Sequence, residues 1–139
     1  MQSLYQDQLL ALARGVRASS ALTAPTHTAE MNNPVCGDRI RADLTLEQGL
    51  VTAAHVEAKG CALCEAGAGL WLKSVVGRDM AALPGLHDAL SAWLKGGDEG
   101  APSAFSSDID AFQPVRAIKN RHKCVTLAFA TADKFTAAE

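Results

Sequence analysis

Aromatic residues are scarce in this 139-residue chain, at 5%, and no long uninterrupted apolar run occurs. The missing run excludes a transmembrane helix, which needs about 20 consecutive apolar residues, so no membrane partner is expected. A basic surplus is also missing. Thirteen Lys and Arg stand against 15 Asp and Glu, a net charge of −2. Nucleic-acid binders that work by bulk electrostatics carry a basic excess, so no nucleic-acid partner is expected, although a local basic patch is compatible with these totals. The opening residues Met1-Gln2-Ser3-Leu4-Tyr5-Gln6-Asp7 show neither a basic n-region nor an apolar h-region, so a cytoplasmic protein without a secretory signal is expected. Repeats and low-complexity tracts are absent too. With 48% apolar residues, mostly Ala, Leu and Val, the chain can bury a core, and residues 1–139 are expected to form one domain.

The hydrophobic pattern predicts a helix from Leu4 to about Val16, a Ser/Thr/Ala/Pro loop over 19–28 and a first strand near Thr26–Asn32. Arg39–Leu46 alternates, with Ile40, Ala42, Leu44 and Leu46 on one side, as a half-buried strand does. A turn at Glu47-Gln48-Gly49 leads into a second strand, Leu50–Lys59, in which Val51 and His55 alternate against Leu50 and Val56. Helical stretches follow at Ala62–Val76, Arg78–Lys95, Ala104–Phe112 and Cys124–Phe135, with a polar loop over Gly96–Gly100. Gly67 and Gly69 lie inside the first of these. Each costs about 1 kcal/mol relative to Ala in a helix, so close approach of another backbone is expected there. The fold class predicted is α+β, a small, mainly antiparallel three-stranded sheet with helices on one face.

Four cysteines, Cys36, Cys61, Cys64 and Cys124, are the main chemical feature. In a reducing compartment such clusters lean toward metal binding or thiol chemistry. The plainer alternative is four buried thiols acting as small apolar side chains. Position favours a site. Cys36-Gly37-Asp38 enters a strand, Gly60-Cys61 joins a strand to a helix, and Lys123-Cys124 opens the last helix. Thiols at element ends are expected to be accessible, and helix N-termini favour the thiolate. Cys36 and Asp38 are two apart and point to one face of an extended chain. With Cys61 and Cys124 they offer three sulfurs and one carboxylate, a set that suits either tetrahedral zinc or an iron–sulfur cluster.

The residues around these positions carry a resemblance. Met31-Asn32-Asn33-Pro34-Val35-Cys36-Gly37-Asp38, Gly60-Cys61-Ala62-Leu63-Cys64-Glu65-Ala66 and Arg121-His122-Lys123-Cys124-Val125-Thr126-Leu127-Ala128 occur in that order. They resemble the three motifs of the IscU/NifU-N family of iron–sulfur cluster assembly proteins, and the resemblance covers nearly the whole chain. Lys123 stands where classical IscU has His, and the stretch between Cys61 and Cys124 is long, so the SufU branch is the nearer likeness. Three departures stand out: Cys64 replaces a Ser, Gly67 and Gly69 replace small Ser residues, and Gly15-Val16-Arg17-Ala18-Ser19 replaces a basic segment at the end of the first helix.

The resemblance implies a SufE/NifU-like fold, with Cys36, Asp38, Cys61 and Cys124 as ligands of a zinc ion or a transient 2Fe–2S cluster. It implies a cysteine desulfurase as the sulfur donor, with Cys124 or Cys61 as persulfide acceptor, and apo iron–sulfur proteins as clients. It leaves a cluster scaffold and a zinc-dependent sulfur-transfer partner both open, with carriage rather than classical turnover as the expectation. A structural zinc domain for protein binding is the alternative of a different class. One carboxylate among thiolates suits a carrier, because a hard oxygen ligand exchanges more easily than a fourth thiolate. Arg39, Arg121 and Lys123 are candidates to offset the negative charge of such a centre. Cys64 is read as a spare ligand or acceptor, or as a small packed side chain. His122 is read as a supporting or alternative ligand, or as an exposed side chain. Asp43 is expected to be solvated.

Overall fold

Helix α1 (Ser3–Ala18) forms where Leu9, Leu12, Ala13 and Val16 recur at helical spacing, and all four are buried. The computed structural model describes residues 3–34, 37–96 and 102–137. Cys36, most of the Gly96–Gly100 loop and the chain ends lie outside that description.

Three strands follow α1 as an antiparallel meander: β1 (His27–Asn33), β2 (Asp38–Glu47) and β3 (Leu50–Lys59). The expected alternation holds over the first part of β2, where Ile40 and Ala42 are buried and Arg39 and Arg41 exposed; Leu44 continues the buried row. In β3 it does not. Val51 and Val56 are both buried, although strict alternation puts them on opposite faces. A bulge explains this. Thr45 pairs with Ala53 and Leu46 with Val51, leaving Thr52 as the extra residue. One inserted residue reverses the facing of everything beyond it. The Thr52 hydroxyl donates to the Thr45 carbonyl across the irregularity, at 3.2 Å.

The sheet has four strands rather than three. Thr136–Ala137 forms β4 and pairs with His27 and Thr28 of β1, giving the order β3-β2-β1-β4. Two residues near the end of the chain present no alternation to read, so their pairing is decided by packing. Asp43 is buried rather than solvated. It sits in register with Thr28 on one side and His55 on the other, with the Arg41 guanidinium 3.7 Å away.

Helix α2 (Ala62–Val75) crosses the middle of the molecule, and its glycines explain how. A Cβ on Gly69 would overlap the Leu12 carbonyl of α1, and one on Gly67 would overlap the Val125 carbonyl. The lost helix propensity is therefore exchanged for close backbone contact on two sides. Beyond α2, Val51 N–H donates to the Arg78 carbonyl at 2.8 Å, which ties residue 78 to the sheet edge. Helix α3 (Leu83–Leu94) consequently starts later than expected, after a single 3₁₀ turn at Met80–Ala82 whose Ala81 N–H is capped by Asp79 at 2.8 Å.

The last third differs most from expectation. The helix placed at 104–112 is a 3₁₀ segment over Ser107–Ala117. The helix placed at 124–135 is a short α4 (His122–Thr126) followed by a 3₁₀ segment at Phe129–Asp133. Phe105, Ile109, Phe112, Val125 and Phe129 are all buried there, so burial of successive apolar residues, rather than one amphipathic stripe, sets the backbone. The helices cover the sheet face lined by Ile40, Ala42, Leu44, Val51 and Val56. Among the described residues no helix is long and apolar enough to cross a membrane.

Candidate metal centre

Three chain segments meet at one end of the sheet. β2 begins with Asp38, the β3–α2 junction supplies Cys61, and α4 supplies Cys124. A carboxylate oxygen of Asp38 and the two sulfurs all lie within 4.8 Å of one another. The sequence-predicted fourth member, Cys36, lies outside the described residues.

Asp38 is 1% exposed. Its Oδ1 accepts the backbone N–H of Cys61 at 3.1 Å, one of the donors that the start of α2 leaves without a helical partner. Gly60 makes that approach feasible, because a Cβ there would overlap the Asp38 carboxylate. Asp38 Oδ2 is buried with no hydrogen-bond partner. A buried carboxylate oxygen left without a donor is costly unless a cation or proton meets it.

Cys124 is 1% exposed, which corrects the expectation of an accessible thiol at a helix start. Its thiol is also pushed far up rather than lowered. Burial is the largest cause, followed by the adjacent Asp38 carboxylate and the nearby Cys61 sulfur. The helix it belongs to is five residues long, too short for a macrodipole to outweigh burial next to a carboxylate. Cys64, one turn into α2, is also buried, and its thiol is pushed up to about 12 by burial first and then by the charges of Asp38, Cys61 and Glu65. It is not a member of the converging group, so it occupies the packed position of the two weighed for it.

The pocket favours whatever removes negative charge from two thiols and a carboxylate. In the absence of a metal, the raised Cys124 thiol keeps its proton. A thiophilic cation does the same work by displacing it. The orphaned Asp38 oxygen and the donor set together fit zinc or an iron–sulfur cluster.

Among the described residues, Arg39, Arg121 and Lys123 make no ion pair with Asp38. His122 is half-buried, and its Nε2 lies 3.0 Å from the Val115 carbonyl and 3.2 Å from that of Arg116, an anchoring role rather than a ligand's. Sequence reasoning passed over two supports. One is Gly60, for which the Gly-Cys pair at a strand end was the available signal. The other is Arg17, whose guanidinium meets Glu65 through Nε–Oε2 and Nη2–Oε1, both at 3.1 Å. That pair ties the end of α1 to the helix start beside Cys61, and nothing local in the sequence announces a contact 48 residues apart.

Residues 4–124 match the family model of the NifU-like N-terminal domain. The zinc-dependent sulfurtransferase SufU of Bacillus subtilis (strain 168) is 30% identical over 139 residues, spanning all of this chain and 93% of that protein. The iron-sulfur cluster assembly scaffold protein IscU of Thermotoga maritima is 27% identical over 128 residues, 92% of this chain and 89% of that one. The crystal structure of a nitrogen-fixing NifU-like protein (N-terminal) from Brucella abortus is similar with a TM-score of 0.79 at 30% identity, covering 94% of this chain and 90% of the other.

Proposed function

The chain belongs to the NifU-like N-terminal domain family, and from that premise we propose that it accepts sulfur from a cysteine desulfurase and serves iron–sulfur cluster assembly. Its centre is Asp38, Cys61 and Cys124, with Cys36 as fourth ligand. The observation that carries this reading is the convergence of two sulfurs and a carboxylate oxygen, from segments far apart in sequence, within 4.8 Å.

A resident zinc ion, when bound, keeps the sulfurs as thiolates. The chain's own residues do the rest. Burial holds the Cys124 sulfur away from water and from adventitious oxidants, while Cys61 is half-buried. Asp38 holds the start of α2, and with it Cys61, against the end of the sheet through the Cys61 backbone N–H. In the transfer step the Cys124 or Cys61 sulfur bonds to the outer sulfur of the desulfurase persulfide. The S–S bond on the enzyme breaks, and the enzyme's cysteine leaves as thiolate. An iron–sulfur cluster built on the same ligands is cargo, to be passed to an apo client protein. Asp38 favours this reading over a closed structural zinc site, since those use Cys and His. The chain is accordingly a carrier that works in the cytoplasm with a desulfurase.

Metal analysis of protein purified without oxygen tests the centre. About one zinc per chain, or a bound cluster, is expected; protein that holds neither overturns it. Mixing with iron, cysteine and a desulfurase is expected to produce cluster absorption for a scaffold. For a pure sulfur acceptor it raises desulfurase turnover without colour.

A further inference from the structure

On the α3 and α4 side of the molecule, lined by none of Asp38, Cys61 and Cys124, lies a groove of about 580 Å³ walled by His87, Ser91, Lys95, Lys119, His122, Lys123 and Thr126. Its walls follow from helical spacing. His87, Ser91 and Lys95 fall at i, i+4 and i+8 along α3 and its C-cap. Lys119 and Lys123 are four apart, as are His122 and Thr126, along the 3₁₀ turn at Lys119–Arg121 and α4. No carboxylate is among these lining residues. Among the described residues none of the three lysines has an ion-pair partner. Three lysines without an ion-pair partner among the described residues thus line one concavity, in a chain whose net charge is −2.

We propose that this groove binds a small organic polyanion, a phosphorylated or polycarboxylate molecule of nucleotide size. Like charges brought together on opposing walls repel one another, and an anion between them removes that repulsion. Lysines act as point charges that suit phosphate and carboxylate oxygens without demanding a planar fork. Ser91 and Thr126 add neutral hydroxyl donors. The lysine stems and imidazole rings supply apolar wall for an organic body. The volume falls in the range of about 300–1,000 Å³ typical of small-molecule sites and exceeds what inorganic phosphate fills. The groove is separate from the thiol–carboxylate centre and does not depend on what that centre does.

Titration of the full-length, metal-loaded protein with ADP, pyrophosphate and a hexaglutamate peptide at about 0.15 M salt, followed by amide shifts, tests the idea. ADP is expected to bind saturably, about tenfold tighter than pyrophosphate, with shifts confined to residues 87–95 and 119–126. The exposed pair Lys95→Glu and Lys119→Glu, made together, is expected to weaken ADP binding at least about tenfold. Ser91→Trp fills the groove without changing its charge and is expected to do the same, which non-specific attraction to lysines does not predict. Shifts centred on Asp38 and Cys61, or ADP binding that survives both variants, overturns the proposal. So does hexaglutamate binding tighter than ADP, which makes the groove a protein-docking surface instead.

Discussion

The Asp38 carboxylate accepts the Cys61 backbone N–H at 3.1 Å and rests against the bare α-carbon of Gly60. The ligand oxygen and the segment bearing a ligand sulfur are therefore one mechanical unit. The strand start positions the helix start, and neither sits correctly without the other.

Removing the Cβ-less contact tests that coupling. Gly60→Ala places a methyl group inside the Asp38 carboxylate, and the carboxylate, rather than the backbone, is the softer element to move. We expect zinc affinity to fall by about 10- to 100-fold, the scale seen when the surroundings of metal ligands are disturbed, while circular dichroism stays that of the folded chain. A competition titration with a chromogenic chelator reads it; unchanged affinity would show that Asp38 reaches the metal from another position.

Replacing the carboxylate itself separates holding from release. Asp38→Ala removes the harder, more exchangeable ligand and leaves the sulfurs. A reconstituted cluster is expected to last several-fold longer and to pass more slowly to an apo ferredoxin, followed by absorbance. An unchanged transfer rate sinks the idea that the oxygen ligand makes the centre labile.

Gly67 carries the position of α4. Its missing Cβ lets α2 lie against the Val125 carbonyl, next to Cys124. Gly67→Ala is expected to cost about 1–3 kcal/mol, as overpacking of a close contact does, despite a gain in helix propensity of about 1 kcal/mol. Denaturant unfolding with an unchanged m-value checks it. Gly15→Ala, where the added Cβ would meet nothing within 4 Å, is the control expected to be neutral or stabilising.

These three positions mark how far the sequence could be read. Alternation in β2 and the apolar stripe of α1 are local patterns with one solution, so both elements were legible. The convergence of Asp38, Cys61 and Cys124 was legible because unusual residue types stood at element ends within recognisable motifs. The facing of β3 beyond Thr52 was not, because a bulge is set by the partner strand. The break between α4 and the following 3₁₀ segment was not either, since Val125, Leu127, Ala128 and Phe129 are buried on several sides at once and leave no periodic stripe. The direction of the Cys124 thiol shift was misread for a related reason. Position at a helix start suggested a low value, but burial and Asp38 come from distant parts of the chain.

Cys64 and Cys124 differ in what surrounds them, and two measurements separate their roles. Cys124 joins Asp38 and Cys61, whereas Cys64 lies outside that group within the packed core. Desulfurase stimulation is expected to vanish in Cys124→Ser and survive in Cys64→Ser; the reverse makes Cys64 the acceptor. The metal-free protein also gives a pH signature. Folding raises the Cys64 thiol from an ordinary 9.0 to about 12, so the folded state holds that proton more tightly than the unfolded state does. The resulting stability is fully present below about pH 9 and is lost as pH rises from there toward about 12. Urea unfolding of metal-free protein across that window is expected to show stability falling with pH. In Cys64→Ser the fall is expected to be shallower, because a hydroxyl does not titrate there and only Cys124, raised in the same direction, continues to contribute. A slope that Cys64→Ser leaves intact would mean that Cys64 is already ionised, or hydrated, in the native core.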